Sequence, residues 1–199
     1  MARRRLQADE SKSIILSHAR TLFIEKGYKD ATMDDLCRLT QLSKGNIYHH
    51  FKNKEDIFVQ IIEAHVKELS QKWLTAEYES MSPVDQLLTL ADIYGRDCAN
   101  PLLSSVEEYF KTLTDDSPAL QSVTESLELV PNAVRSVVER GIEQRTFNTN
   151  DVESLSFAVM SMLIGATQLC IAMPRLSSDE YADLHVNAIR LLLTGMSNK

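Results

Sequence analysis

The run Ser43-Lys44-Gly45-Asn46-Ile47-Tyr48-His49-His50-Phe51 concentrates cationic, amide, phenolic and imidazole groups in a few consecutive positions. If it is helical, only Ile47 and Phe51 can anchor it, and Lys44, Asn46, Tyr48 and His49 face outward. Gly45 costs such a helix about 1 kcal/mol relative to alanine. A missing side chain lets the backbone approach a base or a phosphate, as a helix lying in a major groove requires. The chemistry on offer is therefore recognition of a polyanion.

Other chemistries lack their residues. His49 and His50 are adjacent, so on a helix they point about 100° apart, and no acid or cysteine stands at i+3 or i+4 from them; no metal site is expected there. Cys37, Cys98 and Cys170 are odd in number, far apart and without a Cys-x-x-Cys spacing, which signals neither a disulfide framework nor a zinc cluster and suits a reducing cytoplasm. There is no glycine-rich phosphate loop and no nucleophile motif. Neither an enzyme nor a cofactor is expected.

The elements that would position the run are legible on either side. Ile14, Ile15, Ala19, Leu22 and Phe23 recur at helical steps from Asp9 to Lys26, with Asp9 or Ser11 as cap and Gly27 as the left-handed stop. Thr32 followed by Asp35 is close to a capping box, and Met33, Leu36, Cys37 and Leu39 give the inner face of a short second helix. Thr40-Gln41-Leu42 then turns the chain into Ser43, which can cap the third. Two short helices joined by such a turn read as a helix-turn-helix.

Charge is divided in the same way. Residues 1–54 hold 11 Lys and Arg against 6 Asp and Glu, and the rest of the chain holds 10 against 22, which hides a basic end inside a net charge of −7. One end suits a polyanion while the remainder repels it. Arg3, Arg4 and Arg5 either reach phosphates or a minor groove as a basic arm or form a solvated terminus.

The segment Phe23…Gly27-Tyr28…Ala31-Thr32-Met33-Asp34-Asp35-Leu36…Leu42-Ser43-Lys44-Gly45-Asn46-Ile47-Tyr48-His49-His50-Phe51-Lys52-Asn53-Lys54-Glu55 closely resembles the DNA-binding domain of the TetR family of bacterial repressors, over roughly residues 9–60. The resemblance implies that Thr32 binds a phosphate and that Ser43, Lys44, Gly45 and Asn46 face the groove. It further implies that Tyr48 and His49 meet phosphate or base edges, and that Lys54 holds a phosphate. It makes residues 1–54 the DNA-binding domain and 55–199 a ligand-binding and dimerisation domain.

The remainder reads as helices. Asn53 caps a fourth through Ile57, Phe58, Ile61, Ile62, His65, Leu69 and Trp73; Ser82-Pro83 opens a fifth and Asn100-Pro101 a sixth. Asp115-Asp116-Ser117-Pro118 opens a stretch to about Gln144 with a kink or break at Pro131. Helices over about 151–173 and 178–194 close the chain. Nine or ten helices without a strand make the fold all-α. The N-terminus lacks the apolar core of a secretory signal. Ser154 to Pro174 carries no charge over a membrane-spanning length, but Ser156, Ser161, Thr167 and Gln168 dilute it, and it reads as a helix buried between subunits.

Leu155, Val159, Met162, Leu163 and Ala166, with Leu184, Ile189 and Leu192, offer an intersubunit four-helix bundle, the usual dimer of this family. Residues 60–145 would then hold a ligand pocket. There the body is similar to the QacR type of multidrug-sensing repressor, in Pro101-Leu102…Glu107-Glu108-Tyr109-Phe110. The similarity implies a lipophilic cation met by aromatic faces and carboxylates, with His65, Leu69, Trp73, Tyr94, Asp97, Glu107, Glu108, Tyr109 and Phe110 as candidates. His65, Val66 and Leu69 replace the acids and the aromatic that the type would place on the fourth helix, and Glu107-Glu108 reads equally as a solvated face. The expected function is a dimeric repressor of a palindromic operator, released by a small-molecule inducer. A transcriptional activator and a helical carrier of hydrophobes without DNA binding are the alternatives.

Overall fold

The computed structural model describes residues 2–114, 117, 128–172 and 176–195, leaving aside the side chains of residues 2–9 and of Ala76. Ten helices and no strand occur among the described residues. They are α1 (Ala2–Asp30), α2 (Met33–Thr40), α3 (Lys44–His50), α4 (Lys54–Trp73), α5 (Ala76–Ser80), α6 (Pro83–Asp97), α7 (Leu102–Phe110), α8 (Leu129–Glu143), α9 (Val152–Ala172) and α10 (Ser178–Gly195). The punctuation is the one the sequence announces. Asn53 Oδ1 accepts from Asp56 N (2.8 Å) at the start of α4, Ser82 Oγ from Asp85 N (3.2 Å) at α6, and Ser177 and Glu180 cap α10 reciprocally. Such side chains satisfy the backbone donors that a helix start leaves open.

Three expectations change. The first helix starts at Ala2 rather than near Asp9, so Arg3, Arg4 and Arg5 are helical in backbone, while their side chains lie outside the described residues. Of the kink or break expected at Pro131, the described residues show a helix start: Pro131 sits in the first turn of α8, where a missing N–H removes no hydrogen bond. The expected start of that stretch at Pro118 lies outside the described residues. The five-residue α5, capped by Thr75, was not foreseen because one helical turn has no apolar period to reveal it.

The chain divides into two compact units, 1–66 with 101–126 and 67–100 with 127–199. The first is larger than the expected 1–54 because α7 folds with the N-terminal helices. Leu102 and Tyr109 of α7 are buried with Phe23, Phe58, Ile47 and Phe51. Ser105 donates to the Phe23 carbonyl at 2.6 Å. Gly27 breaks α1 with φ +79°, a conformation open to glycine, and the Glu108 carboxylate accepts from Tyr28 N (2.7 Å) at that break.

In the second unit, α6 packs along α10 and α8 against α9, around a core of Trp73, Leu87, Leu90, Val134, Val138, Val159, Leu163 and Ile189. Gly95 sets the distance between α6 and α10. A Cβ there would stand 2.4 Å from the Cα of Ala182, so the two backbones touch at a pair of small residues. By length and composition α9 is able to cross a membrane; one side of it is the core of this unit.

Candidate nucleic-acid interface

Helix α2 begins at Thr32, which forms a full capping box with Asp35. Thr32 Oγ1 donates to Asp35 Oδ2 (2.7 Å) and accepts from Asp35 N (3.1 Å). Asp35 is buried and also receives Lys26 Nζ (2.9 Å) and Arg38. The Thr32 hydroxyl, then Lys26 and Arg38, hold its carboxyl well below the usual carboxylate range, against the opposing effect of burial. Gln41, at φ +57°, turns the chain out of α2. Ser43 Oγ accepts from Asn46 N (3.2 Å) and starts α3.

Ile47 and Phe51 fix the roll of α3, at 0% and 1% exposure. Lys44, Gly45, Asn46, Tyr48 and His49 are all exposed, with Ser43 at their head. Nothing stands within 4 Å of where a Gly45 Cβ would be, so packing within the protomer does not require the glycine. Among the described residues Lys44 Nζ pairs with the exposed Asp34 carboxylate, at 3.0 Å, and this pair raises the lysine's pKa. A pair so open to water is weak, and the ammonium remains exchangeable with another anion.

Lys54 does not stand with this group. Its ammonium donates to the carbonyls of Tyr28 (2.6 Å), Ala31 (2.9 Å) and Lys29 (3.2 Å) and lies 4.4 Å from the Tyr28 ring centroid. An ammonium has three hydrogens, and the α1–α2 turn takes all three. Burial lowers its pKa. The expected phosphate contact gives way to a brace of that turn, a role that spacing alone could not reveal.

The ligand candidates divide between the two units. In the first, Tyr109 is fully buried, stacked edge-on to Tyr28 (4.7 Å) and Phe58 (5.1 Å) with its hydroxyl donating to Glu55 (3.1 Å). Burial, then Glu55, raises its pKa. Glu108 is held by Tyr28 N and Glu107 by Lys111 (2.7 Å), and Phe110 packs on the same core. Tyr109 and Glu108 are thus internal supports of this unit. His65 lies on α4 of the same unit, half-buried.

Leu69, Trp73, Tyr94 and Asp97 belong to the second unit. Tyr94 is half-buried and burial pushes its pKa up to about 12. Trp73 is 1% exposed, its ring 5.9 Å from that of Tyr78. The indole N–H of Trp73 and the hydroxyl of Tyr78 are both buried with no hydrogen-bond partner among the described residues, a costly condition in a protein interior. A groove of about 660 Å³ runs between α8 and α9, lined by Asn132, Arg135, Ser156, Phe157, Met160 and Ile164 among others. None of its lining residues was among the sequence candidates.

The expected dimer residues also divide. Leu155, Val159, Leu163 and Ile189 are buried in the protomer's own core, so they cannot meet another subunit. Met162, Ala166 and Leu192 are half-buried. Leu184 is exposed, and with it stand Phe157 (75%), Ile164, Leu169 and Leu191 (72%). On an almost wholly apolar helix, periodicity does not say which side is inward.

Two family descriptions match the chain: "Bacterial regulatory proteins, tetR family" over residues 15–61, and "QacR-like protein, C-terminal region" over residues 65–198. The HTH-type transcriptional regulator QacR of Staphylococcus aureus is 27% identical over 154 residues, covering 73% of this chain and 78% of that protein. The biofilm operon negative regulator IcaR of Staphylococcus epidermidis is 40% identical over 52 residues, covering 26% of this chain and 28% of its own. The transcriptional regulator FadR of Bacillus subtilis, solved with stearoyl-CoA, has the same fold at TM-score 0.76 and 17% identity, over 93% of this chain and 99% of that one.

Proposed function

Since the chain belongs to the TetR family of bacterial regulatory proteins and carries a QacR-like C-terminal region, we propose that it is a cytoplasmic, non-catalytic, dimeric transcriptional repressor that an inducer releases from its operator. The observation that carries the reading is α3: a helix held by Ile47 and Phe51 and exposed at Lys44, Gly45, Asn46, Tyr48 and His49. In this reading Lys44 and Tyr48 hold phosphates, and Asn46 and His49 read base edges across the close approach that Gly45 permits. Thr32 and Ser43 present helix N-termini to phosphates.

A palindromic operator needs two such helices spaced near one turn of DNA. The exposed stripes Phe157, Ser161, Ile164 and Gln168 on α9, and Leu184, Asn187 and Leu191 on α10, follow helical periods and support a four-helix contact between two copies. Burying each large apolar side chain there contributes roughly 1.5–3 kcal/mol. That contact also accounts for the uncharged length of α9 without a membrane.

The second unit is the proposed sensor. Trp73 and Tyr78, whose buried polar atoms have no partner among the described residues, favour a ligand that has an aromatic or apolar body and can exchange hydrogen bonds with them. A lipophilic drug, as expected of a QacR-like regulator, fits this description, and ligand binding that favours a body conformation unsuited to the operator lowers DNA affinity by population shift.

The test is fluorescence anisotropy of the purified protein on the DNA flanking its own gene, against scrambled duplex and over a salt series. Sequence-selective binding that falls steeply with salt and is weakened by Lys44→Ala supports the repressor. Equal binding to both duplexes, with an empty genome-wide selection for bound sites, would sink it.

A further inference from the structure

Two of the three cysteines, separated in sequence by more than two helices, meet in the second unit. Cys98 at the end of α6, Cys170 near the end of α9 and His185 of α10 bring two thiol sulfurs and an imidazole nitrogen within 4.8 Å of one another. The cause lies in the close contact of α6 with α10 at Gly95 and Ala182. Cys98 follows Gly95 at the end of α6, and the His185 ring, turned back along α10 to the Tyr181 carbonyl, brings its Nε2 to the Cys98 sulfur.

We propose that Cys98, Cys170 and His185 form a buried site for a thiophilic divalent d10 cation of the Zn(II) class. Cys98 Sγ lies 3.7 Å from His185 Nε2. Zinc bond lengths of about 2.3 Å to sulfur and about 2.0–2.1 Å to nitrogen put those two atoms about 3.5 Å apart at a tetrahedral angle and about 3.8 Å at a trigonal one. The ring is already oriented as a ligand: Nδ1 bonds the Tyr181 carbonyl at 2.9 Å, which fixes the proton there and leaves the Nε2 lone pair toward the thiols. Thr167 Oγ1 lies 3.4 Å from Nε2, and a hydroxyl or solvent oxygen would complete a four-coordinate ion.

Charge selects the cation. Cys170 and His185 are buried and Cys98 is half-buried, so a charged complex would be costly. Two thiolates, a neutral imidazole and a divalent ion sum to zero, whereas a monovalent ion leaves a buried negative charge. Each thiol binds the ion as a thiolate, so binding releases two protons per ion and tightens as pH rises.

The experiment titrates the reduced full-length protein with Cd(II), reading the thiolate-to-metal charge-transfer absorption, and then displaces it with Zn(II). We expect one ion per protomer and two protons released. Cys98→Ser and Cys170→Ser should each weaken binding by at least about 100-fold, beyond the ~10–100-fold that an outer-shell partner is worth. Cys37→Ser, in the other unit, should change nothing. Absence of the band at stoichiometric metal, or an unchanged band in the Cys98→Ser/Cys170→Ser double variant, overturns the site. If the variants misfold, the unmodified protein decides. Zn(II) should slow alkylation of Cys98 and Cys170 but not of Cys37, and equal alkylation rates with and without metal overturn the proposal. The site does not depend on the DNA-binding reading, so either can fail alone.

Discussion

Gly45 separates what folding needs from what DNA binding needs. No atom lies near a Cβ at that position, so Gly45→Ala should stabilise the protein by up to about 1 kcal/mol while weakening operator binding by an order of magnitude or more. Thermal unfolding and anisotropy on the same variant check both; unchanged DNA affinity would mean that α3 does not approach DNA closely. Lys44 and Lys54 should also differ. Lys44→Ala should reduce the salt slope of binding by about one, because its ammonium is exposed and pairs with the exposed Asp34. Lys54→Met should lower stability instead, since it removes three hydrogen bonds to the α1–α2 turn. Asp35 sets an acid limit on the same unit. Its carboxyl titrates lower folded than unfolded, so its stabilisation is complete above the unfolded value of about 4 and is lost as pH falls below that toward the folded value. Asp35→Asn should destabilise the protein at pH 7 and flatten the acid limb of its unfolding midpoint against pH.

At the scale of elements, α9 carries opposite roles on two sides, and neighbouring residues should respond differently. Leu163 is buried in the protomer, and Leu163→Ala should cost about 2–5 kcal/mol of stability by leaving a cavity. Ile164, one position on, is exposed, and Ile164→Asp should convert dimer to monomer with the protomer still helical. Sedimentation equilibrium together with circular dichroism distinguishes these outcomes; a dimer unaffected by both Ile164→Asp and Phe157→Asp would place the contact elsewhere. The contact of α6 with α10 is equally specific. Gly95→Val would push a branched side chain into the Ala182 backbone and should cost about 1–3 kcal/mol or more as overpacking.

For the whole molecule, a basic N-terminal segment on an acidic chain predicts DNA affinity that falls steeply with ionic strength while the rest of the chain resists nonspecific adhesion. Trp73 is the single tryptophan and is buried beside Tyr78, so its emission reports the proposed sensor directly. A lipophilic inducer should change that emission and lower operator affinity over the same concentration range. An inducer that releases DNA without altering Trp73 emission, and equally well from Trp73→Phe, would locate its site away from that residue.

The all-helical class, the caps at Thr32, Ser43, Asn53 and Ser82 and the exposed face of α3 were legible in the sequence because they are local. Caps act within three or four residues, and a short helix with only Ile47 and Phe51 apolar on the inner side has one way to roll. Family membership followed from the same local run. Tertiary structure decided everything that joins distant segments: Lys54 taken by the carbonyls of the α1–α2 turn, Tyr109 and Glu108 drawn into the N-terminal unit, Leu163 inward and Ile164 outward on a helix apolar almost all round. It also decided the meeting of Cys98, Cys170 and His185, which depends on how closely two backbones approach at Gly95. No periodicity or spacing encodes that approach, because it is set by side-chain volume on facing helices rather than by the order of residues along either one.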